Sequence, residues 1–166
     1  MFLALEDFRA RVRGFERSTW RWECQPDHSV SREASSLAAF LTGEPKPADH
    51  NAAWRETVRG LVASGRYIGR VRAVRHPLTD YQRYQLAWGI PGNVEAGEDI
   101  RILDVTKDSL GLPDYDFWLL EEQEVIRLNF DGNGRVLSRG PVEDPDLSQY
   151  LKWRDAALQH ATHVRT

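Results

Sequence analysis

The apolar positions of this chain change period several times, and each change marks an element. Leu5, Phe8, Val12 and Phe15 recur every three to four residues, which predicts an amphipathic helix over 4–15. "STWRWEC" then alternates, with Trp20, Trp22 and Cys24 on one face and Arg21 and Glu23 on the other, the period of a strand. "SREASSLAAFLTGEPKP" returns to helical spacing through Leu37, Phe40 and Leu41, and stops at Gly43 ahead of Pro45 and Pro47. "NAAWRETVRGLVASG" reads as a helix capped by Asn51 and ended by Gly65, with Trp54, Val58, Leu61 and Val62 on one face.

"YIGRVRAVR" is apolar on both faces, which predicts a strand inside a sheet, ended by Pro77. Thr79 with Gln82 three residues on forms a capping box for the next helix, preceded by Leu78 as a staple. "EDIRILDV" is a strand. "DFWLL" and "EVIRLNF" pair as a hairpin closed at "EEQ", and "DGNG" (131–134) turns the chain into "RVL". Asp144 as N-cap and Pro145 at the first helical position open a last helix through Leu147, Tyr150, Leu151, Arg154 and Leu158. Helices alternate with strands in the middle of this order, and a strand meander follows. The expected fold is mixed α/β (α+β), a single layer of mixed parallel and antiparallel sheet flanked by helices. The loop-rich stretch 43–51 joins two helices, so one domain over 1–166 is expected.

Length and composition fit that picture. The 166 residues are 41% hydrophobic, enough for a core without staples. A single cysteine, Cys24, excludes an intramolecular disulfide and reads as a core residue. Glu6, Asp7, Arg9 and Arg11 interrupt the apolar amino-terminal stretch, which is unlike a signal peptide, and no window has the length of a membrane span. A cytoplasmic protein without membrane contact is expected.

Charge is where the sequence becomes informative. From Arg55 to Arg83 seven arginines face only Glu56 and Asp80, a balance of +5; from Glu98 to Glu124 nine acids face Arg101 and Lys107, a balance of -7. Arg70 and Arg72 fall on one strand face. With His76, Asp80, Tyr81, Arg83 and Tyr84 they make a set able to grip a phosphate or nucleotide by forked hydrogen bonds and stacking. The same arginines, placed on a strand beside the acidic segment, would instead form an internal ion-pair network. Both readings stand on the sequence.

Catalytic readings are weaker. His76 and Asp80 suit a base and its orienter, but nothing marks a nucleophile. Asp114, Asp116, Glu121 and Glu122 suggest a hard-metal nuclease site, yet none of the lysines (46, 107 and 152) stands beside them. "DGNG" carries Arg135 and Val136 where a calcium loop needs other residues, "HATH" lacks further ligands, and "GIPGNVEAG" follows a helix instead of a strand. No metal and no cofactor is expected.

"WRETVRGLVASGRYIGRVRAVRHPLTDYQRYQL", "NVEAGEDIRILD" and "LPDYDFWLLEEQEVIRLNFDGNG" together resemble an uncharacterised actinobacterial family, a domain of unknown function, over nearly the whole chain. The resemblance implies a gene neighbourhood with helix-turn-helix regulators and small proteins of another uncharacterised family, and hence regulation or a toxin–antitoxin-like module. In layout "EAGEDIRILD" and "DFWLLEEQEVIRL" are also similar to one half of the phospholipase D and nuclease superfold. That likeness implies a non-catalytic half, because Asp116-Phe117-Trp118 stands where active members carry a His and a Lys. The expected function is a non-enzymatic regulatory or interaction domain. Its expected partner is a protein, of which a helix-turn-helix regulator encoded nearby is one, with a small anionic or phosphorylated ligand besides. A phosphodiester-cleaving, nuclease-type effector is the alternative. Direct DNA binding ranks last, since no basic recognition helix is visible and the net charge is -3.

Overall fold

A computed structural model describes residues 1–165 as one continuous seven-stranded sheet with helices on both faces. Helix α1 (Leu5–Arg13) precedes β1 (Ser18–Glu23); a short 3-10 turn (Ser31–Glu33) leads into α2 (Ala34–Leu41) and α3 (Ala52–Ala63). Strand β2 (Tyr67–Val74) is followed by α4 (Asp80–Tyr84), a π-helical turn (Gln85–Gly89), α5 (Ile90–Ala96) and β3 (Asp99–Asp104). The meander is β4 (Phe117–Leu120), β5 (Glu124–Phe130) and β6 (Val136–Pro141), after which come α6 (Leu147–His160) and the two-residue β7 (Thr162–His163).

The spatial order is β6-β5-β4-β1-β2-β3-β7. Strands β1, β2 and β3 run parallel; β4, β5, β6 and β7 join antiparallel to their neighbours. The mixed sheet expected from the sequence is therefore present, and β2 lies inside it with a parallel partner on each side. No helix among the described residues is long and apolar enough to cross a membrane.

Alternation along the strands divides the core in two. Trp20, Trp22, Val71, Ala73, Leu103, Phe117, Leu119 and Val125 form one face, closed by Tyr150 and Ala157 of α6. Phe117 is fully buried, and its ring meets Tyr150 edge-on with centroids 4.9 Å apart. Cys24 packs on this face beside the two tryptophans, as their shared strand period requires. The opposite face is covered by the crossover helices, since parallel neighbours cannot be joined by a tight turn. There Phe15, Val58, Leu61, Ile68 and Ala96 make one apolar cluster, and Val12, Trp118, Leu120 and Ile126 make another.

Local signals explain several boundaries. The Thr79 hydroxyl accepts from Gln82 N while the Gln82 side chain accepts from Thr79 N, the expected capping box. Asp131 Oδ1 accepts from Asn133 N and Arg135 N, which fixes the turn into β6. Two caps differ from expectation. Asn51 adopts a left-handed conformation (φ 56°) and its side chain makes no cap; only its carbonyl accepts, from Arg55 N. The last helix begins two residues later than expected, because Asp146, not Asp144, receives the Gln149 N–H. "GIPGNVEAG" lies in a helix that the π turn prolongs from α4.

Candidate functional site

The polar centre of the protein sits on the helix-covered face of β1 and β2. Arg21 pairs in register with Arg70, and Glu23 with Arg72, so four charged side chains share one patch between the two apolar clusters. Arg72 is fully buried, and Glu23, Arg70 and Glu98 are each less than 5% exposed. Charges taken this far out of water must be paired and hydrogen-bonded.

Glu98 reaches the patch through a glycine. Gly97 ends α5 in the left-handed region (φ 112°), a conformation that suits a residue without a Cβ. The chain then turns so that Glu98 N bonds Asn93 O and its side chain meets Arg70. Arg70 Nε lies 3.1 Å from Glu98 Oε1, off the N–H axis, and Nη2 donates to Oε2 at 3.3 Å. On its other side Arg70 Nη1 is 3.5 Å from Glu23 Oε1. Glu23 Oε1 also accepts from Gln85 Nε2 at 2.8 Å, and Gln85 Oε1 accepts from Arg72 Nε at 2.8 Å. Gln85 opens the π turn. Such one-residue insertions re-aim side chains, and here the re-aimed residue links an arginine to a glutamate.

Arg21 is held more loosely. Its guanidinium lies over the Trp118 ring at 4.7 Å and comes no closer than 3.8 Å to Glu23 and Glu98. Arg21 Nε and Arg72 Nη1 are buried with no acceptor among the described residues. Arg21 is also the one member of the cluster with a substantial opening to solvent, its side chain being 20% exposed. Within the cluster three guanidiniums (Arg21, Arg70, Arg72) face two carboxylates (Glu23, Glu98), an excess of one positive charge.

The electrostatics follow. Burial alone would raise the Glu23 carboxyl, but Arg21, Arg70 and Arg72 outweigh it and hold the group far below the usual glutamate range. Burial and the neighbouring Arg70 push Arg21 below its ordinary value. Burial opposes the charge on Arg70 as well, and Glu98 and Glu23 more than offset it, so Arg70 is raised. Beside the cluster, burial raises the Tyr81 phenol, whose hydroxyl bonds Glu33 Oε2 at 3.1 Å.

Of the residues singled out in the sequence, Arg70 and Arg72 lie in this cluster and Tyr81 borders it. Tyr84 is buried in the adjoining aromatic group with Trp88 and Phe40. His76, Asp80 and Arg83 lie outside it. His76 Nε2 is 3.6 Å from Asp104 Oδ2 on the surface, and Asp80 pairs with Arg83 on the exposed side of α4. Of the acidic segment expected to neutralise the arginines, Glu98 does so; the other carboxylate, Glu23, comes from β1. Arg21, Glu23 and Gln85 were not singled out. Their signal was the charged face of "STWRWE", which becomes interior because the crossover helices cover it.

Two of the four acids considered for a metal site, Asp116 and Glu121, serve the backbone, and Glu122 bonds Arg154. Asp116 Oδ1 accepts from Cys24 N and Gln25 N at 2.8 and 2.9 Å, and its Oδ2 lies 3.4 Å from His28 Nε2. Glu121 accepts from Ser18 N, Arg17 N and Glu16 N, which hold its carboxyl below the usual range. Among the described residues no group of three His, Cys, Asp or Glu side chains is placed to hold a metal ion. The Cys24 thiol is pushed up by burial and by Asp116, which leaves it a poor nucleophile at neutral pH.

A family model for DUF6879, a domain of unknown function, matches residues 6–166. The chain belongs to that family. The match runs from the first turn of α1 onward, and so includes the whole of the buried cluster. No curated protein matches the chain.

Proposed function

We propose that this domain is a non-enzymatic interaction domain that binds a protein partner by receiving an anionic group of that partner, a phosphate or a carboxylate, beside Arg21 and Arg70. The observation that carries the reading is the charge imbalance: three guanidiniums, two of them buried, against two carboxylates, with Arg21 Nε lacking an acceptor among the described residues. An unmatched buried charge is costly, and an anion at the part-open Arg21 supplies the missing charge with charge-assisted hydrogen bonds. Tyr81, whose hydroxyl is bonded to Glu33, borders the same spot. The non-enzymatic reading rests on Asp116, whose Oδ1 accepts two backbone N–H groups, and on Glu121, both of whose oxygens accept backbone N–H groups. The resemblance to proteins encoded beside helix-turn-helix regulators supports such a regulator as the partner class.

The test is calorimetric titration of the protein with inorganic phosphate and with a phosphoserine peptide, at constant ionic strength. Saturable binding that is lost in Arg21→Met is the expected result. Equal heats from the wild type and Arg21→Met would contradict the reading.

A further inference from the structure

On the opposite face of the sheet, away from the charged cluster, lies a cleft of about 320 Å3. It opens where β1, β2 and β3 begin, at Ser18, Tyr67 and Asp99, and α6 forms its wall with Arg154, Asp155 and Leu158. We propose that this cleft is a binding site for a small organic cation with an apolar body and a neutral hydrogen-bond acceptor, the chemistry of an amino-acid amide.

Three features define that class. Trp20, Leu119 and Leu158 give the cleft an apolar lining, and its volume suits a small molecule. Trp20 is only 3% exposed, and its indole N–H has no acceptor among the described residues. A buried donor in this state calls for an acceptor, and a ligand carbonyl lying on the apolar lining is one.

The rim sets the charge. Asp99, Glu122 and Asp155 face Arg101 and Arg154, an excess of one negative charge among the lining residues. The guanidiniums are already engaged. Arg101 makes two bonds to Asp99, at 3.2 and 3.1 Å, and one to the Leu158 carbonyl at 3.2 Å. Arg154 bonds Glu122 at 2.7 Å and Asp155 at 3.1 Å. Glu122 and Asp155 are 56% and 67% exposed, whereas Arg154 is 19% exposed, so the groups open to an incoming ligand are carboxylate oxygens. Tyr67 closes one side, its hydroxyl donating to Asp99 at 2.7 Å. An ammonium at the rim and an acceptor toward Trp20 satisfy both ends at once.

Leucinamide is the probe and neutral 4-methylpentanamide the control. Binding is read from the indole N–H resonance of Trp20 in nitrogen-edited NMR spectra, assigned through Trp20→Phe, and from melting temperature. Leucinamide is expected to shift that one indole resonance saturably, with a Kd on the order of 1 mM. The neutral amide and the Asp155→Asn/Glu122→Gln variant are each expected to weaken binding at least ~10-fold, a loss of about 1.4 kcal/mol. If Trp20→Phe does not fold, the resonance is assigned by sequential connectivity and the rim variant decides. An unshifted Trp20 resonance at saturating probe would overturn the proposal, as would equal binding of the charged and neutral amides. Neither result bears on the anion reading, which concerns the other face of the sheet.

Discussion

Arg72 and Gln85 are joined by a 2.8 Å hydrogen bond although neither side chain has appreciable contact with solvent. Gln85 passes the connection on to Glu23, so the middle strand, the π turn and β1 are tied through one amide. Removing Arg72 leaves Glu23 buried with less positive charge around it. Arg72→Met is expected to lower the unfolding free energy by about 3–5 kcal/mol, the usual cost of breaking a buried pair from one side. Urea denaturation checks it, with and without phosphate. The double variant Arg72→Met/Glu23→Leu should not recover the loss, because Arg21 and Arg70 would then face Glu98 alone.

Acid sensitivity follows from Glu23. Its folded-state carboxyl lies below its ordinary value of 4.5, so the unfolded chain binds more protons as pH falls. The contribution of Glu23 to stability is complete above that ordinary value and is lost as pH falls from there toward the folded value. Stability measured against pH should drop below about pH 4.5 in the wild type, with a shallower drop in Glu23→Gln. Parallel curves for the two proteins would refute this assignment.

Asp116 separates a structural role from a catalytic one. Asp116→Ala orphans the N–H groups of Cys24 and Gln25 and should cost about 1–3 kcal/mol. Asp116→Asn keeps an acceptor and should cost less. Thermal melts of the two variants decide. An unchanged melting temperature in Asp116→Ala would show that these bonds contribute nothing.

Gly97 sets the position of Glu98. A Cβ there would sit 3.0 Å from Val62 Cγ2, at a φ that other residues rarely adopt. Gly97→Ala should therefore destabilise by about 1–3 kcal/mol. Retention of full stability would mean that the turn, and with it Glu98, can be held without glycine.

Much of the fold was legible because every strand but β7 and most helices carry their own period. The Trp20/Trp22 alternation, the two-sided apolar pattern of β2 and the Thr79–Gln82 box each specify local structure from adjacent residues. The missing parts depend on distant ones. Nothing near Gln85 announces a π turn, and β7, two residues long, is defined only by its pairing with β3. The candidate site was half legible for the same reason. Arg70 and Arg72 stood out by charge density, but their partners arrive from β1 and from the end of α5. His76, Asp80 and Arg83, close in sequence to those arginines, turn away from them because the chain leaves the sheet after Val74.

The excess charge at Arg21 is the centre of this account, and it is measured most directly by the melting temperature of the wild type and Arg21→Met in phosphate and in chloride, at matched ionic strength. The account predicts that phosphate raises the wild-type melting temperature in a saturable way, as binding to the native state must. It also predicts that Arg21→Met, with two guanidiniums now facing two carboxylates, folds and shows no phosphate response. An equal phosphate response in both proteins, or none in the wild type, would contradict it.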